Sequence, residues 1–137
     1  MQKHLELSDL EFERAFSNCT IDPGIFSHEA HLRLAWIHIN KYGVESAVEN
    51  IRQQLQKFVK SVDAENKYHE TVTVASIRAV NHFFQKSKTE SFSDFISENK
   101  QLLDNFKNLL LTHYKTDIFK SLVAKETYLE PEKIPFD

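Results

Sequence analysis

With two glycines and three prolines in 137 residues, the chain holds little material for tight β-turns, which need residues that free or fix the backbone dihedrals. That scarcity points to helices. A single cysteine, Cys19, excludes an internal disulfide. The N-terminal stretch MQKHLELSDLEFERAF has charges interrupting every apolar run, so it lacks the uninterrupted stretch of a secretory signal. No window approaches the length of a transmembrane helix. The expectation is a soluble, cytoplasmic protein with no membrane partner. Surplus positive charge is missing as well: 17 basic residues face 20 acidic ones, a formal net charge of -3. Nothing is left over to neutralise a phosphate backbone, which argues against nucleic acid as a partner.

What is present is the balance of a globular protein, 41% hydrophobic and 27% charged residues. The length suits a single helical domain over 1–137, with a core large enough to need neither disulfide nor structural metal. Any metal it holds would then serve function more than folding. Eleven phenylalanines leave two outcomes open: a monomer's core absorbs them, or apolar surface remains for a partner, with a homodimer as one form.

The pattern predicts an all-α, single-domain bundle of about five or six helices with an extended, proline-containing C-terminal tail. Ser8-Asp9-Leu10-Glu11 is a capping-box pattern that starts a first helix over about residues 8–18. Asp22-Pro23-Gly24 reads as a turn. Ser27 is a good N-cap for a second helix, which Gly43 ends by supplying a left-handed residue. Over 44–61 the residues Val44, Ala47, Val48, Ile51, Leu55, Phe58 and Val59 form one apolar stripe. A long fourth helix is expected over about 68–86. Apolar residues then recur at helical spacing from Phe92 to Leu111, and Thr116 or Asp117 is a cap for a last helix carrying Ile118, Phe119, Leu122 and Val123. The tail from Tyr128 is too rich in proline for helix and should lie extended over the bundle.

On a wheel of 3.6 residues per turn, His28 and His31 fall within the apolar arc of Leu32, Ala35, Trp36 and Ile39. Glu29, Arg33 and Asn40 cluster opposite, where Arg33 and Glu29 would form a surface ion pair, and His38 lies at the arc's edge. The fourth helix repeats the arrangement: His69, Thr73 and Ser76 share the stripe of Val72, Ala79, Val80, Phe83 and Phe84, with Glu70 at its border. Imidazole is the commonest metal ligand. Two histidines at i, i+3 with a third from a facing helix resemble the way bundles build metal sites. His28, His31 and His69 are therefore the candidate ligands of a divalent ion, zinc, iron or manganese. Glu70 is a candidate fourth ligand or general base, with Tyr68 and Thr71 orienting water or a substrate. The plainer reading has equal standing: inward histidines are commonly hydrogen-bonded core residues, and HxxH alone is a weak signal. His4, His82, His113 and Cys19 suggest no partner.

Three segments resemble a family of small helical bacterial proteins with no established activity. They are FSHEAHLRLAW at 26–36, KYHETVT at 67–73 and YLEPEKIPFD at 128–137. In the family these read Trp/Phe-Thr/Ser-His-x-x-His-Leu, Tyr-His-Glu-Thr-Ile/Val-Thr, and a Glu-Pro-Asp tail leading to Leu-Pro. The order is the same here, while Phe26 stands where tryptophan is frequent, Glu132 where aspartate is usual, and Ile134 before Pro135. His28, His31, Tyr68, His69, Glu70 and Thr71 match position by position. The resemblance implies that the two histidine segments belong together and names no reaction.

Two functions follow as expectations. One is a metal-dependent enzyme of hydrolase or oxygenase type acting on a small molecule in a histidine-lined site between two helices. The other is a non-catalytic ligand- or protein-binding module whose buried histidines are hydrogen-bonded and metal-free. A scaffold whose polar groups satisfy only one another is the third and plainest.

Overall fold

The computed structural model describes residues 2–136; Met1 and Asp137, the outermost residues of the expected domain, lie outside the described residues. Among the described residues the chain is all-α, with eight α-helices and no strand. It divides into two compact units, residues 1–68 and 69–137.

The first unit holds α1 (Asp9–Ser17), α2 (His28–Tyr42) and α3 (Val44–Ser61), with short 3-10 turns at Lys3–Glu6, Pro23–Ile25 and Glu65–Lys67. The caps act as the sequence suggests. Ser8 and Glu11 form the reciprocal box, with the Glu11 amide donating to Ser8 Oγ at 3.1 Å and the Ser8 amide to Glu11 Oε1 at 2.8 Å. Ser27 accepts from the Ala30 amide at 3.2 Å, and its hydroxyl donates to Gln2 Oε1. Gly43, at φ 86°, closes α2 and opens α3 in a conformation that a side chain would strain. The core is aromatic: Phe26 stands 5.0 Å from Phe16 and 5.5 Å from Phe58 between ring centroids. Ala47, Ile51 and Leu55 of α3 are buried in the same unit.

The second unit holds α4 (Glu70–Lys86), α5 (Phe92–Glu98), α6 (Gln101–Asp104), α7 (Phe106–Leu111) and α8 (Leu122–Glu126). Helical spacing from Phe92 to Leu111 is cut into three pieces. The Asn99 side chain donates to the Phe95 carbonyl at 2.8 Å, and Asn105 Oδ1 accepts from Asn108 Nδ2 at 2.9 Å. Asn99 competes in this way with the helical ladder. The last helix begins later than expected. Ser121 caps it through the Ala124 amide, whereas Asp117 accepts from the Phe119 amide at 3.0 Å and holds a turn. Neither Thr116 nor Asp117 is its N-cap. Ile118 and Phe119 thus precede α8, and Leu122 and Val123 on it are 67% and 63% exposed.

Ala75, Ala79, Leu110, Tyr114, Ile118, Ala124 and Phe136 form the core of this unit. The tail leading to Phe136 has no helix and lies over it. The Tyr114 hydroxyl donates to the Leu129 carbonyl at 2.9 Å, the His113 ring bonds the Ile134 carbonyl at 2.7 Å, and the Lys133 amide donates to the His113 carbonyl at 3.0 Å. Burial, then the neighbouring Tyr128, raises Tyr114 beyond the ordinary phenol range, so its hydroxyl stays a donor.

Candidate functional site

His28 and His31 lie in the first unit, on the first turn of α2, and Tyr68 lies at that unit's end, half-buried. His69, Glu70 and Thr71 belong to the second unit, at the start of α4.

In the first unit the His31 ring stacks on Phe26, with centroids 3.9 Å apart and planes inclined by 27°. Desolvation, then the charge of His28, lowers it from 6.5 to about 4. Yet His31 is an exposed residue. The exposed positions of His31 and His28 correct the inward placement that the helical wheel gives them. With its value lowered in this way, His31 is a neutral imidazole at neutral pH. His28, three residues earlier and exposed, has a place on the same side of the helix.

In the second unit His69 is the N-cap of α4, so the helix starts one residue later than the histidine and not at Tyr68. The Val72 amide donates to His69 Nδ1 at 3.1 Å, and His69 Nε2 lies 2.9 Å from the Ile118 carbonyl. An amide can only donate and a carbonyl only accept. The ring is thereby fixed as the tautomer with its proton on Nε2. Both ring nitrogens are committed. For His69 to ligate an ion, one of these bonds must break, since a metal takes the lone pair of an imidazole nitrogen.

Thr71 is fully buried and equally committed: its hydroxyl donates to the Thr127 carbonyl at 2.7 Å and accepts from the Leu129 amide at 3.0 Å. It clamps the start of the tail to α4. The Thr73 hydroxyl returns to the His69 carbonyl at 2.7 Å, reinforcing the cap. Glu70 is the half-buried first residue of α4, where a carboxylate is favoured by the helix dipole. Within neither unit do three His, Cys, Asp or Glu side chains among the described residues form a set that could hold a metal ion.

The structure assigns work to residues that the sequence left without partners. His4 is fully buried, and its Nε2 meets Glu29 Oε2 at 2.6 Å. Arg33 is not on a solvated face and does not pair with Glu29. It is 5% exposed, donates to the carbonyls of His4 at 2.6 Å and Leu7 at 2.8 Å, and reaches Asp9 Oδ1 at 2.9 Å. Its guanidinium lies 4.9 Å from the centroid of the Phe12 ring. Together these contacts tie the N-terminal segment onto α2. The available signal was the run Leu32-Arg33-Leu34-Ala35-Trp36-Ile37-His38-Ile39, too apolar for a helix with one wet side.

No protein-family model, curated protein or solved structure matches this chain. The chain is an all-α protein in which, among the described residues, no helix is long and apolar enough to cross a membrane.

Proposed function

We propose that the protein is a non-catalytic binding module of the cytoplasm whose histidines act as hydrogen-bonding groups without metal. The observation that carries this reading is the commitment of His69 through both nitrogens, to Val72 and Ile118; in the other unit His31 is neutral at an exposed position. In this reading His31, with His28 beside it, meets a small acidic ligand. His69 and Thr71 hold the start of α4 and the tail in place. The test titrates small carboxylates, acetate and malonate, into the full chain while ring resonances of the histidines are followed by NMR. The response should be centred on His31 and disappear in His31→Ala, while His69→Ala keeps the response and loses stability. No response in the wild type, or one that only His69→Ala removes, would overturn the reading.

A metal-dependent enzyme is the second reading, supported by the neutral imidazole of His31 one turn from His28. It requires His69 to release Ile118 or Val72 and join them, with Glu70 as fourth ligand or general base and Tyr68 or Thr71 orienting water or substrate. The metal would be zinc, iron or manganese, and it would supply hydrolytic or oxygen chemistry on a small molecule. Elemental analysis of protein purified without an affinity tag decides the matter. Stoichiometric metal lost in both His28→Ala and His69→Ala would establish this reading and displace the first.

A further inference from the structure

His4, His69 and His113 each bond a named partner. His38 does not. Its side chain is 1% exposed, and neither Nδ1 nor Nε2 has a hydrogen-bond partner among the described residues. One turn further along α2 the ring of Tyr42 stands 5.3 Å away between centroids. The Tyr42 hydroxyl donates to Glu13 Oε2 at 2.5 Å, and Lys41 Nζ to Glu13 Oε1 at 2.9 Å. A single half-buried carboxylate of α1 is thus held by two side chains at the end of α2, with a dry imidazole beside them.

Burial, the largest influence, lowers His38; Glu13 from α1 raises it, Lys41 from α2 lowers it further, and the outcome lies below the ordinary histidine range. Burial raises Glu13, but the Tyr42 hydroxyl, Lys41 and His38 together bring it below the usual carboxylate range. The ring is neutral at neutral pH, and the unfolded chain takes up its proton more readily than the folded one.

We propose that His38 is an acid-operated latch between α1 and α2: its neutral ring leaves Glu13 to Tyr42 and Lys41, and its protonated ring draws Glu13 away from them. An imidazolium has two donors and no acceptor, and Glu13 is the carboxylate whose charge reaches it. The Tyr42 and Lys41 donors reach Glu13 from exposed positions, where water weakens their hold, whereas the buried imidazolium is screened less and competes for the carboxylate. The Tyr42 side chain, at an exposed position, turns to water when released. At neutral pH the latch is closed, and it opens as pH falls below the ordinary histidine range.

The full chain is followed by NMR from neutral pH down to about 5, the span over which histidines report such changes. The ring signals of His38 and Tyr42 and the amide exchange of α1 should move together with one midpoint. His38→Gln should abolish the linked changes at Tyr42 and α1. In Glu13→Gln the His38 midpoint should shift to lower pH and Tyr42 should stop responding. The proposal is overturned if Tyr42 and α1 change equally in His38→Gln, or if His38 takes no proton before the whole chain unfolds. Should His38→Gln not fold, the wild-type co-titration and the Glu13→Gln shift decide the matter alone.

Discussion

Replacing His69 by alanine removes a helix cap and a tether to the Ile118 carbonyl in one step. The expected loss is about 2–4 kcal/mol, since a cap contributes about 1 and an orphaned buried carbonyl about 1–3. His69→Asn restores the cap without the tether and should recover part of the loss in urea unfolding. His31 acts through pH. Its value falls from 6.5 in the unfolded chain to about 4 in the fold, so below 6.5 the unfolded chain binds a proton that the folded one refuses. Stability should fall as pH drops from 6.5 towards 4 and be independent of this ring above 6.5. Melting temperatures across that range should vary less with pH in His31→Gln. The sequence placed both histidines inward, which the exposed position of His31 contradicts and the half-buried cap at His69 meets only in part. It could not show that His69's partner lies 49 residues away.

At the scale of the element, α2 is where the wheel and the fold part company. A wheel assumes one wet side, whereas every residue from Leu32 to Ile39 is buried, so Arg33 must find acceptors inside. Arg33→Met keeps the packing stem but takes the guanidinium donor from the Leu7 carbonyl and leaves the His4 carbonyl only the Leu7 amide, at an expected cost of about 1–3 kcal/mol. Arg52→Met, which breaks the i, i+3 pair with Glu49, should change stability by no more than about 1 kcal/mol. Chemical denaturation of both variants side by side checks the contrast. Boundaries set by local chemistry were legible: the Ser8 box, the Ser27 cap and the Gly43 stop each act through neighbours in sequence. The breaks at Asn99 and Asn105 and the late start of α8 at Ser121 were not. There the apolar spacing continued while the side chains of Asn99 and Asp117 took backbone groups and Asn105 bonded the side chain of Asn108.

At the scale of the molecule, each unit has its own core, and the second is completed by the tail. Thr71→Val, similar in shape, leaves the Thr127 carbonyl and Leu129 amide without their partner. It should cost about 1–3 kcal/mol and raise hydrogen exchange over residues 127–136 before the rest of that unit, with Phe136 leaving the core last. Proline content made the tail's extended path legible. Its anchors at Thr71, His113 and Tyr114 were not, because hydrogen bonds across 15 to 58 residues have no local signature. The same holds for the histidine segments: their residue types were visible in the sequence, but the groups that occupy their ring nitrogens were not. The claim that these histidines work as hydrogen-bonding groups meets its most direct test at His69. The measurement is the side-chain nitrogen NMR spectrum of that ring with and without one equivalent of zinc. A proton on Nε2, an unprotonated Nδ1 whose lone pair accepts the Val72 amide, and no change on adding zinc are predicted; a zinc-induced shift at either nitrogen would contradict the account.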